Sequence, residues 1–105
     1  MQIITAEDLN NLLGNNDKPN LVDVRESNEF DYCHISGSIN YPMSEIQEKW
    51  GSLDPNKEII VICHHGARSM QVANFLENQG FKNIYNLEGG VDEWARTIDT
   101  SMPQY

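Results

Sequence analysis

The chain has 105 residues, the length of one domain, with 39% hydrophobic and 22% charged residues, so one core spanning 1–105 is expected and global disorder is excluded. Its formal net charge of −9 repels nucleic-acid phosphates and anionic membrane surfaces, so neither is expected as a partner. A small anionic substrate would need a local positive site, whereas a basic protein partner would be steered inward.

The first fourteen residues carry Glu7 and Asp8 where a signal peptide needs a basic region, and no apolar window of about 18 residues exists, so a cytoplasmic location is expected. Thr5 is placed to cap a helix over Ala6–Leu13, with Ile4 and Leu9 as a hydrophobic staple and Gly14 as the stop. A polar turn over residues 15–20 leads into Leu21-Val22-Asp23-Val24, which reads as a buried strand. Ser27–Tyr32 fits one or two helical turns, and Ile39-Asn40-Tyr41 is a further strand candidate. Ser44 with Gln47 three residues on predicts a capping box and a short helix over Glu45–Trp50, followed by a turn over 51–57.

Ile59-Ile60-Val61-Ile62 is apolar without alternation, the pattern of a central parallel strand covered on both faces. A helix over Arg68–Gln79 follows, with Gly80 and Phe81 predicting a Schellman ending in which Phe81 packs on Leu76. After a short strand at Ile84-Tyr85, Val91, Trp94, Ala95 and Ile98 fall at i, i+3, i+4 and i+7, one apolar helical face. Alternating strands and helices predict an α/β fold with a mainly parallel sheet.

In such sheets ligands bind beyond the carboxyl ends of strands, and Cys63 stands at the end of the most apolar one. The segment Cys63-His64-His65-Gly66-Ala67-Arg68-Ser69 joins that strand to a helix N-terminus, so its backbone N–H groups are placed to form an anion cradle around the sulfur. An unperturbed thiol is only about 3% thiolate at pH 7, so use as a nucleophile calls for stabilisation of the anion. Gly66 permits the tight turn. Arg68 has two roles open to it, holding donor oxygens or pairing with a carboxylate to brace the loop. His64 and His65 are placed either to donate hydrogen bonds and shuttle protons or simply to stand in solvent. Zinc is not expected, because the histidines are adjacent rather than at ligand spacing and there is no second cysteine pair. With only Cys33 and Cys63 present, reduced thiols are expected.

Three segments together resemble the rhodanese family over nearly the whole chain. Leu21 to Glu26 with Glu29 and His34 to Asn40 is similar to its first signature, Cys63 to Ser69 to its active loop, and Glu88-Gly89-Gly90 with Trp94 to its closing signature. The tail Ile98 to Tyr105 is similar to endings found where such a domain is fused behind ubiquitin-activating-like enzymes of cofactor biosynthesis. The resemblance implies a three-layer α/β/α sandwich acting as a sulfurtransferase without a cofactor, and a monomer is expected. By it, Cys63 takes sulfane sulfur from thiosulfate or a persulfidated protein and passes it to a thiol or cyanide, with the backbone of His64, His65, Gly66, Ala67, Arg68 and Ser69 holding the persulfide. The six-residue loop favours sulfur over the phosphate chemistry of related phosphatases, whose loop is one residue longer.

The chain departs from the family at Cys33, where glycine is usual before the His-Ile pair. Cys33 is either a harmless substitution or a resolving thiol for Cys63. Asp23, Arg25 and His34 read as structural. Two rival functions stand beside sulfur transfer: a docking module that uses the fold without turnover, and a thiol oxidoreductase or arsenate reductase, which would need Cys33.

Overall fold

The computed structural model describes residues 1–15 and 18–105. Of the polar turn expected over 15–20, Asn16 and Asp17 lie outside the described residues. Five parallel strands form one sheet: β1 Gln2–Ile4, β2 Asn20–Asp23, β3 Ile39–Asn40, β4 Ile59–Ile62 and β5 Ile84–Leu87, in the order β1-β5-β4-β2-β3. Between and after them lie the helices α1 Ala6–Leu13, α2 Ser27–Tyr32, α3 Ile46–Lys49, α4 Ala67–Asn78 and α5 Gly90–Thr97.

Side-chain alternation along β4 splits the interior into two cores. Ile60 and Ile62 point to one face, where they join Leu21, Leu87, Leu9 of α1 and Val91, Trp94 and Ala95 of α5. Ile59 and Val61 point to the other and meet Val22, Ile84, Ile46 of α3 and Val72, Ala73 and Leu76 of α4. All four β4 residues are fully buried, which explains the unbroken apolar run and yields the expected α/β/α sandwich with a wholly parallel sheet.

Local chemistry fixes most element ends. Thr5 accepts a hydrogen bond from Asp8 N at 3.1 Å and starts α1. Phe81 N donates to Leu76 O at 3.2 Å and Gly80 N to Glu77 O at 3.0 Å, with Gly80 at φ +101°, the Schellman ending the sequence predicts for α4. Gly14 also ends α1, but at φ −76° it uses none of glycine's left-handed freedom. The helix α4 starts at Ala67 rather than Arg68, so Ala67, Arg68 and Ser69 form its first turn.

The capping box expected at Ser44 does not form. The helix α3 begins at Ile46 after Glu45, which makes no side-chain cap, and Ser44 Oγ instead donates to the Glu26 carboxylate at 3.0 Å. A capping box does form at α2, between Glu26 and Glu29. The edge strand β1 has no counterpart in the sequence reading, because three residues carry too little pattern. Pairing with β5, Ile4 beside Leu87, creates it.

Candidate active site

The chain crosses from β4 to α4 in four residues, and Cys63 is buried at the start of that crossing. Its Sγ accepts hydrogen bonds from Gly66 N at 3.0 Å and Ser69 Oγ at 3.3 Å. Gly66 holds φ +113°, a left-handed angle open to glycine, and so turns its N–H inward at the head of α4. Among the described residues, Gly66 is the one backbone donor to Sγ. The cradle is therefore narrower than a full ring of loop N–H groups, and a side-chain hydroxyl completes it.

That hydroxyl is held by Asn86, a buried residue of β5 that the sequence reading passes over. Asn86 Nδ2 donates to Gly66 O at 3.1 Å, which fixes its amide so that Oδ1 accepts from Ser69 Oγ. Ser69 has one proton to give and lone pairs to receive one. A protonated Cys63 can donate to Ser69 while Ser69 donates to Asn86, and a thiolate can receive the Ser69 proton instead. The rotor thus responds to charge on sulfur without moving the backbone. A lone polar residue in an otherwise apolar strand, Ile84-Tyr85-Asn86-Leu87, is the signal that could have found it.

The outer side of the crossing is clamped by α5. Val91 N donates to Cys63 O at 2.9 Å and Asp92 N to His64 O at 3.1 Å. This approach needs glycine, since a Cβ on Gly90 would stand 2.3 Å from Cys63 O and 2.5 Å from His64 O. The closing signature Glu88-Gly89-Gly90 therefore has a steric cause.

Arg68 pairs with a carboxylate, as in the second of the two roles open to it. Nη1 and Nη2 donate to Glu29 Oε1 and Oε2 at 2.7 and 3.0 Å, a bidentate pair between α4 and α2. The pair, opposed by burial and assisted by Tyr105, lowers the Glu29 carboxyl from 4.5 to about 2. A carboxyl lowered in the folded state contributes stability that is complete above the unfolded value and is lost as pH falls toward the folded one. Thermal melts from about pH 5 down to about pH 2.5 are therefore expected to fall more steeply for the wild type than for Glu29→Gln. Parallel curves would contradict the pairing.

His64 and His65 lie at the rim. The His64 ring stacks on Tyr105, 3.9 Å between centroids and 6° between planes, and contacts His65 at 3.9 Å. Burial, and next the neighbouring His65, hold the His64 imidazole below its usual pKa, which favours the neutral ring. Its Nε2 is buried without a hydrogen-bond partner among the described residues. His65 is exposed, with Nε2 3.8 Å from Asp92 Oδ2. Tertiary packing thus puts a third side chain with a metal-ligating atom, Asp92, within 4.8 Å of those of the two histidines, a juxtaposition that their spacing in sequence does not reveal.

Of the residues read as structural, two form a buried pair and His34 is exposed. Asp23 and Arg25 are fully buried, joined through Arg25 Nε and Nη2, the latter 2.7 Å from Asp23 Oδ2. Arg25 also donates to Cys33 O at 2.6 Å and Glu29 O at 3.3 Å, tying α2 to the sheet. His34 stacks on Phe30 at 3.9 Å.

Cys33 adopts extended backbone, φ −163°, which any residue can occupy, so the missing glycine costs nothing. The resolving-thiol expectation is not met: Cys33 packs in the core with Leu21 and Ile60, while Cys63 packs in the core across the sheet with Val61. Both thiols are free among the described residues.

A family model described as the rhodanese-like domain matches residues 5–97. The chain is 38% identical to a rhodanese-related protein from Thermoplasma volcanium, whose crystal structure superposes with a TM-score of 0.83 over 91% of this chain and 92% of that one. It is 36% identical over 81 residues to the thiosulfate sulfurtransferase GlpE of Coxiella burnetii, covering 77% of this chain and 76% of GlpE. It is 39% identical over 93 residues to the rhodanese-like/PpiC domain-containing protein 12, chloroplastic, of Arabidopsis thaliana, 85% of this chain but 31% of that protein. The chain spans from 31% to 64% of the length of three curated relatives.

Proposed function

The chain belongs to the rhodanese-like domain family, and on that premise we propose that residues 1–105 act as one sulfurtransferase domain whose Cys63 carries sulfane sulfur as a persulfide. The observation that carries this reading is the Cys63 sulfur, buried at the head of α4 and held by the Gly66 N–H and the Ser69 hydroxyl. Both groups donate to a negative sulfur, and the helix terminus adds its positive dipole end. The thiosulfate sulfurtransferase named among the relatives supports the same chemistry.

In the proposed cycle the Cys63 thiolate attacks the outer sulfur of thiosulfate. A new S–S bond forms, the bond to the sulfonate breaks, and sulfite leaves with its electron pair. A thiolate or cyanide then attacks the terminal sulfur, and the electron pair of the broken S–S bond returns to Cys63. A persulfidated protein can replace thiosulfate, with its own cysteine thiolate as the leaving group. With Arg68 engaged by Glu29 and the whole chain at −9, a donor protein with a basic face is better matched than a small free anion.

A cytoplasmic setting, where thiols stay reduced, suits this cycle. The reductase reading loses support because Cys33 lies across the sheet and cannot resolve Cys63 without dismantling a core. Among the described residues no helix is long and apolar enough to cross a membrane.

Mass spectrometry after thiosulfate treatment without reductant is expected to find about 32 Da added to the peptide that contains Cys63. If neither thiosulfate nor a persulfidated protein adds sulfur there, the docking-module reading replaces this one.

A further inference from the structure

Spacing along the chain argues against a metal site at His64 and His65, yet ligation depends on distance in space, and α5 supplies what the crossing lacks. Val91 N donates to Cys63 O and Asp92 N to His64 O, so the crossing and the first turn of α5 are tied backbone to backbone. That close approach is open only because residue 90 is glycine. On this fixed frame one ring nitrogen of His64, one of His65 and a carboxylate oxygen of Asp92 lie within 4.8 Å of one another. His65 Nε2 is 3.8 Å from Asp92 Oδ2, and the two imidazole rings are 3.9 Å apart at a 36° tilt.

A second observation bears on the same residues. His64 Nε2 is buried without a hydrogen-bond partner among the described residues, whereas buried polar atoms are as a rule satisfied. The His64 ring is therefore held by stacking and remains available to ligate. Asp92 is mostly buried, and its cationic partner Arg96 is exposed and divided between Asp92 Oδ2 and Glu93 Oε2, each at 3.2 Å. Arg96 can stay on Glu93 while Asp92 turns to an ion, and the surface ion pair given up is a weak one. Two imidazoles and one carboxylate are a donor set that suits divalent first-row transition metals, zinc among them. Ligand atoms around tetrahedral zinc sit about 3.3 Å apart, a closure that rotation of the exposed His65 side chain can supply.

We infer that His64, His65 and Asp92 form a binding site for a divalent transition-metal ion, with a fourth position left to water or an anion. The ion fastens the crossing to α5 through side chains, as the two hydrogen bonds already do through backbone. It also brings positive charge to the loop, where Arg68 is engaged by Glu29. In a chain at −9 that is the local positive site a small anionic sulfur donor needs. This consequence rests on the sulfur-transfer reading, whereas the site and its test do not.

The test is calorimetric titration of Zn²⁺ into the untagged, reduced protein, with Co²⁺ as a spectroscopic reporter. One ion per chain is expected, with a Kd below about 50 μM that Cys63→Ser leaves unchanged within about threefold. Loss of a ligand should weaken binding by at least about tenfold in His65→Ala and in Asp92→Asn. Arg96→Gln, which releases Asp92, should bind at least as tightly as the wild type. Bound Co²⁺ should show visible d–d bands without the charge-transfer band that a thiolate ligand adds. Thermal melts without metal check that each variant is folded. Binding lost in Cys63→Ser would assign the ion to the thiol and overturn the site. So would a Kd above about 50 μM, or binding unchanged within about twofold in a folded His65→Ala or Asp92→Asn. A protein that binds Zn²⁺ as expected while Cys63 accepts no sulfur leaves the site standing and refutes the sulfur-transfer reading instead.

Discussion

Cys63→Ser is expected to abolish sulfur loading while leaving the fold in place. Serine keeps a hydrogen-bond acceptor where Gly66 N and Ser69 Oγ converge, and it adds no volume to a buried site, so stability should change by no more than about 1 kcal/mol. Chemistry is another matter. A serine hydroxyl is essentially un-ionised at neutral pH, no base is hydrogen-bonded to position 63 among the described residues, and an oxygen cannot form an S–S bond to the incoming sulfur. The loss should exceed about a thousandfold, equivalent to roughly 4 kcal/mol of barrier. Cyanolysis of the loaded protein, together with intact mass before and after reduction, measures both the sulfur and its lability. A variant that still gains a reducible sulfur would move the carrier elsewhere in the chain, and Cys33 is the only other thiol.

Asp23→Ala is expected to cost about 3–5 kcal/mol of stability, a large part of the total available to a domain of this size. Asp23 accepts from Arg25 through its backbone N–H at 3.0 Å, through Nε and through Nη2, and neither residue has solvent access. Burial alone would lower the Arg25 pKa, but its hydrogen bonds to Asp23 and Tyr105 reverse the direction and keep the guanidinium charged. Removing the carboxylate strands that charge in the core, with Cys33 O, Glu29 O and Tyr105 Oη left to it. Calorimetry should therefore find a fall in Tm of at least about 12 °C. The double variant Asp23→Leu/Arg25→Met should lose less than the single one, because no charge is left unpaired. A single-variant loss under about 1 kcal/mol would mean that water reaches Arg25 and that the pair does not brace α2.

Both expectations concern residues that the chain announces and contacts that it does not. The apolar run Ile59–Ile62 determined a central parallel strand, because only a strand covered on both faces avoids a polar side. Local capping chemistry likewise determined α1 and the end of α4, since those bonds join residues within five positions of one another. The segment Cys63 to Ser69 was legible for the same reason: strand, turn glycine and helix start are contiguous.

What joined that segment to the rest was not legible. The loss of the Ser44 capping box followed from a competing carboxylate, Glu26, eighteen residues away. The choice of Glu29 as partner for Arg68 spans 39 residues and depended on α2 and α4 meeting at one end of the sheet. Asn86 entered the site because β5 lies beside β4, Gly90 because α5 presses on the crossing, and Tyr105 because the tail folds back from Met102. By itself the sequence determined the parallel α/β pattern and the strand–turn–helix segment that carries Cys63, both of them set by neighbouring residues. The tertiary structure alone decided which hydroxyl holds the sulfur, which carboxylate holds the arginine, on which side of the sheet each thiol lies and what stacks on His64. Those outcomes depend on the packing of distant segments, which leaves no local pattern in the chain.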